Sequence, residues 1–142
     1  MRKLGAVLHV LFWLACAAPA FAENTVGPGQ QVLCNQTFQV AVATATTTAL
    51  VSGVAGKSIF SCGWHVTSTQ AASTTFQFEY GTQGGPCTTP TVVTPAFSVT
   101  STAPSSDHIS LATFQIPPGS QLCVVSTGAT VGLSILIYYS QF

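Results

Sequence analysis

The feature that most constrains this chain is an apolar alternation of period two, broken at short intervals by turn residues. In Val32-Leu33-Cys34-Asn35-Gln36-Thr37-Phe38-Gln39-Val40-Ala41-Val42, one side reads Val32, Cys34, Phe38, Val40, Val42. Thr75-Phe76-Gln77-Phe78-Glu79-Tyr80 alternates aromatic and polar residues. Near the C-terminus Val131, Leu133, Ile135, Ile137 and Tyr139 share one side, with Gly132 and Ser134 opposite. Successive side chains of a strand point to opposite faces, so this pattern specifies strands with one buried face. No stretch sustains an apolar 3.6-residue period, so no amphipathic helix is expected.

Turn chemistry separates the runs. Gly53-Val54-Ala55-Gly56, Gln70-Ala71-Ala72-Ser73, the segment 81–86, Pro104-Ser105-Ser106-Asp107, Pro117-Pro118-Gly119-Ser120 and Thr127-Gly128-Ala129 all read as turns or loops. Pro118-Gly119 suits the centre of a type II turn, whose second central residue needs positive φ. The expected strands are 31–44, 47–52, 57–69, 74–81, 91–100, 109–116, 121–126 and 130–140. About eight short strands at this spacing predict an all-β fold, a single antiparallel β-sandwich of jelly-roll type.

The N-terminus is of a different kind. Arg2 and Lys3 precede an apolar run from Leu4 to Ala15, and Ala20-Phe21-Ala22 has small-x-small cleavage character. This is the layout of a bacterial-type secretory signal peptide over 1–22, with cleavage expected after Ala22. A rival reading makes Cys16, after Leu14-Ala15, a lipidated terminus, although Trp13 stands where that signal usually has leucine. The apolar run falls short of the roughly 20 residues of a membrane-spanning helix, and no second such run follows. The segment 23–30, with its Gly-Pro-Gly, is expected to be a flexible arm before a domain over 31–142. Asn35-Gln36-Thr37 matches a glycosylation sequon, read as coincidence in a chain with a bacterial-type leader.

Beyond residue 22 the only charged residues are Glu23, Lys57, Glu79 and Asp107. Twenty Thr and fourteen Ser take over the solvent-facing role. One basic residue gives no electrostatic footprint for nucleic acid, and none for an anionic membrane surface. Four cysteines remain, Cys34, Cys62, Cys87 and Cys123, and an even number in an exported chain favours disulfides. No two have the C-x-x-C spacing of zinc or redox sites. Cys34 lies beside Val32 and Phe38 on an apolar face. In a regular strand Phe60, Cys62, Trp64 and Val66 share the inward face, leaving His65 outward. Cys34 with Cys62 and Cys87 with Cys123 is therefore the preferred pairing, with the other two connectivities left open by the sequence.

Chemistry has few candidates. Cys62 and His65 are three apart and fall on opposite faces of a strand, so they make no thiolate–imidazole pair. Asp107-His108 is the single acid–histidine neighbour pair and sits in an expected turn, where adjacent residues rarely point together as a triad needs. His65 and His108 could meet as a metal pair, but nothing nearby completes a zinc sphere. Glu79 reads as a solvated charge with Lys57 as its candidate partner, and a glycosidase would need a second positioned carboxyl. No catalytic residue, metal or cofactor is expected.

The segments Leu50-Val51-Ser52-Gly53, Lys57 to Gly63, Phe78-Glu79-Tyr80-Gly81-Thr82 to Cys87, Leu122-Cys123-Val124 and Tyr138-Tyr139-Ser140-Gln141-Phe142 carry a family likeness. They resemble small all-β modules of tailed-phage structural proteins and of exported bacterial proteins. That resemblance implies an antiparallel sandwich with a structural or binding role, and it brings no catalytic residue. The leader fits the exported group.

The expected function is thus a secreted or periplasmic, non-catalytic module that is structural, adhesive or ligand-binding. Its partners would be further copies of itself or a cell-surface or glycan ligand. Sheets commonly guard their edges with charge, and a chain this poor in charge must cover its edges or pair them. Two alternatives stand beside this reading. One is a small secreted hydrolase built on His65, His108, Asp107 and Glu79. The other is a small outer-membrane β-barrel, suggested by the terminal Phe142.

Overall fold

The alternating runs form strands that pack as two sheets in the computed structural model, which describes residues 32–108 and 114–142. The expected signal peptide with Cys16, the expected arm over 23–30, and residues 109–113 lie outside the described residues. Ten strands follow in order: β1 Gln36–Val42, β2 Thr47–Val51, β3 Ile59–Ser68, β4 Thr74–Thr82, β5 Thr88–Val92, β6 Phe97–Val99, β7 Ser105–His108, β8 Phe114–Ile116, β9 Gln121–Thr127 and β10 Leu133–Gln141. There is no helix among the described residues.

Every strand pairing is antiparallel. Sheet one runs β1-β10-β3, with β7 and β8 both on the free side of β3. Sheet two runs β2-β9-β4, with β5 and β6 both along β4. Counting each pair of short strands as one broken edge leaves four positions per sheet. The chain crosses between the sheets so that its first strand lies beside its last, which is the jelly-roll arrangement. Among the described residues the two sheets share no hydrogen-bonded strand pair and their facing surfaces are filled, the arrangement of a sandwich.

The inner faces bury Ile59, Trp64, Val66, Phe76, Phe78, Ile116, Leu122, Val124, Ile135 and Ile137, among others. Trp64 is the centre of an aromatic group, with ring centroids 5.2 Å from Phe78, 5.5 Å from Phe97 and 6.3 Å from Phe114. Such edge and tilted contacts add about 0.5–1.5 kcal/mol per pair beyond area burial. The indole Nε1–H of Trp64 is buried and has no acceptor among the described residues. At the turn after β8, Ser120 N donates to Pro117 O at 3.1 Å and Gly119 has φ +76°, as a type II turn requires.

The structure departs from the sequence reading at four places. First, the register of β3 against β10 passes from Tyr138↔Gly63 to Tyr139↔Ser61, leaving Cys62 as an extra, bulged residue. A bulge resets the alternation. Ile59 therefore joins Trp64 and Val66 in the inter-sheet core, while Phe60 and Cys62 face outward. Second, the expected strand 31–44 is shorter. Residues Val32 and Cys34 cross the outer face of sheet one and pack on Phe60 and Cys62, separately from Phe38, which packs against the main core. Third, the expected strand 91–100 breaks into β5 and β6. Pro95 has no N–H to donate, and Thr94 Oγ1 takes the Phe78 N–H at 2.9 Å in place of a strand partner. Fourth, the expected turn Pro104–Asp107 is largely strand: β7 pairs its residues 105–108 with Gly63–Val66.

Candidate functional site

Two disulfides shape both outer faces. Cys34 is bonded to Cys62, with Cα atoms 6.0 Å apart, and Cys87 to Cys123, with Cα atoms 6.2 Å apart. The first fastens the segment before β1 to the outside of sheet one. Phe142 stacks on Phe60 beside it at 4.7 Å, and Ser140 Oγ donates to Leu33 O at 2.5 Å. The second fastens the loop between β4 and β5 to the outside of sheet two.

Glu79 is the register neighbour of Cys123, to which this second loop is bonded. Phe78 and Tyr80 point into the sandwich, so β4 turns Glu79 outward, where its register neighbours are Cys123 on β9 and Val92 on β5. It is nonetheless only 4% exposed. The loop joined to its neighbour Cys123 is tightly held. An ideal Cβ on Gly81 would lie 2.6 Å from Thr88 O, so only glycine lets that backbone close over the strand. Gln121, itself buried, donates through Nε2 to Thr82 O and Gly85 O. Cys87 and Thr89 hold left-handed backbone, φ +47° and +51°, which costs about 1–3 kcal/mol each in a non-glycine residue and clusters at functional positions.

The Glu79 carboxyl makes no ion pair or hydrogen bond among the described residues, and burial holds it above its ordinary pKa. Reading Glu79 as a solvated charge, or as the partner of Lys57, is therefore corrected: Lys57 is exposed in the turn between β2 and β3. A carboxyl shifted this way by desolvation marks a candidate site. By itself it can hold a proton and make one hydrogen bond.

The other titrating candidates do not converge on it. His65 is exposed on the outer face of sheet one, where its register partners are Leu136 and Ser106. Glu79 lies beyond the outer face of sheet two, so the whole two-sheet core, about 10 Å between packed sheets, separates them. Asp107 and His108 sit on β7, at register with Trp64 and Gly63 of sheet one. No group of three or more His, Cys, Asp or Glu that could hold a metal occurs among the described residues. Neither the paired carboxyls of a glycosidase nor a nucleophile–base pair is assembled around Glu79.

Sequence reasoning missed Gln121 and the left-handed Cys87 and Thr89. The visible signal was the crowding of Gly84, Gly85 and Pro86 just before a cysteine. The outward turn of Cys62 had no local signal. No protein-family model matches the chain, and no curated protein is significantly similar to it.

Proposed function

We propose that this protein is an exported structural module that acts by surface contact and assembles with copies of itself. The observation that carries this reading is the distribution of polar chemistry. Glu79 and His65 lie on opposite outer faces of a filled sandwich, and Asp107 and His108 sit on β7, in the sheet of His65 and not in that of Glu79. What the exterior offers is uncharged Thr, Ser and Gln on strands, stapled by two bridges.

Both disulfides fit an oxidising compartment, periplasmic or extracellular. No helix among the described residues is long and apolar enough to cross a membrane. The resemblance to exported and phage structural β-modules points the same way, and a cell-surface or glycan ligand is the natural class of further partner.

Sedimentation of the exported protein over a wide concentration range tests the proposal. Reversible self-association is expected, unchanged in His65→Ala and Glu79→Gln variants. A strict monomer at every concentration, or a hydrolytic activity that either substitution abolishes, would overturn it.

A further inference from the structure

Each sheet has two edges, and they are not equivalent. β5 carries Pro90, which donates no hydrogen bond, and left-handed Thr89, while its continuation β6 has three residues. β7 and β8 are four and three residues long. β2 has five residues, with a register break between Ala49 and Val51. β1 is different: its seven residues, QTFQVAV, pair with β10 in one unbroken register and include no charge, proline or glycine. Among the described residues its outer side is unpaired, a row of backbone donors and acceptors with none of the devices that usually guard an edge.

We infer that β1 pairs with β1 of a second copy, antiparallel across a two-fold axis at Gln39, to give a closed dimer. The inference rests on the reading of this protein as a self-associating module and names the surface that does it. The second copy is favoured by self-complementarity. Only the register centred on Gln39 pairs all seven residues, and it keeps inner face opposite inner face. It sets Phe38 against Val40 twice, an aromatic–β-branched match of the kind that stabilises sheets. Both residues are half-buried, packing against the core, and the added strand would cover their open side. On the outer face Thr37 meets Ala41, and Gln39 meets its own copy. Gln39 Nε2 donates to Ser134 Oγ at 3.3 Å, which leaves its carbonyl oxygen and a second amide hydrogen for the cross-axis contact.

The symmetry sets the outcome. An isologous contact uses each β1 once and closes, giving a dimer with one continuous eight-position sheet rather than a filament. The broken far edge of sheet one offers no second regular strand for growth.

Charge at position 39 tests this on the exported full-length domain by sedimentation. Gln39→Lys and Gln39→Glu each place like charges on the axis and should each weaken the dimer by at least about 100-fold. An equimolar mixture of the two variants should recover a heterodimer of near wild-type affinity, which misfolding could not produce. Thr91→Lys on β5 should leave the dimer intact. A wild-type dimer insensitive to Gln39→Lys, or no recovery on mixing, overturns the β1 edge and leaves the proposed function standing. A wild-type monomer overturns both, and filaments overturn the closed symmetry.

Discussion

At the scale of single residues, Glu79 is the position where the chain spends stability. A carboxyl with no partner among the described residues is buried at the outer face of sheet two, and desolvation raises its pKa. The linkage has a definite sign. With the folded pKa above the unfolded one, Glu79 contributes most below the unfolded value, where it is protonated in both states. That contribution is lost as pH rises through the folded value. Thermal unfolding of the wild type should therefore show a midpoint that falls from about pH 4.5 to neutral. Glu79→Gln should flatten this dependence and raise the midpoint at pH 7.5; an unchanged pH profile would show that Glu79 is solvated. The sequence displayed Glu79 as one acid alternating with aromatics, which is equally the pattern of a surface residue. Its burial is set by neighbours distant in sequence, Cys123 on β9 and Val92 on β5. That environment is tertiary, and no local pattern announces it.

At the scale of elements, the strands were legible where a period of two ran through them, as in β4 and β10. Inside β3 the reading failed because one residue was added. The bulge at Cys62 shifts everything before it by one place, and a one-residue shift exchanges the two faces of a strand. Phe60 and Cys62 thereby leave the main core and make a second, small one with Val32 outside sheet one. The two bridges have parallel duties, each tying a segment without sheet pairing to an outer face. With sequence separations of 28 and 36, each is expected to contribute about 3.5–4 kcal/mol by loop entropy. Denaturant unfolding of Cys34→Ser/Cys62→Ser and of Cys87→Ser/Cys123→Ser should show losses of that order. The two should differ in one respect. Cys87 is bonded to Cys123, the register neighbour of Glu79, so only the second pair should also weaken the pH dependence of stability; equal pH profiles would show that this bridge does not shield the carboxyl.

At the scale of the whole molecule, the jelly roll joins segments far apart in sequence: Phe38 pairs with Ile137, and Ser58 exchanges backbone hydrogen bonds with Phe142. Folds dominated by such distant pairings are slow to form, on the order of milliseconds to seconds. The sandwich class was readable from turn spacing and composition, whereas the division of each outer edge into two short strands was not. In sheet two that division depends on where Pro95 interrupts pairing. The bridges also decide how this molecule would answer a pull on its ends. Tension entering at Cys34 passes directly to Cys62 on β3, bypassing β1 and β2, and tension reaching Cys87 skips to Cys123. Those shunts withhold about 95 Å and about 120 Å of contour length from any extension. Single-molecule stretching should release both lengths only after reduction, so that in the oxidised protein β1 and its free edge stay slack while the strands around them yield.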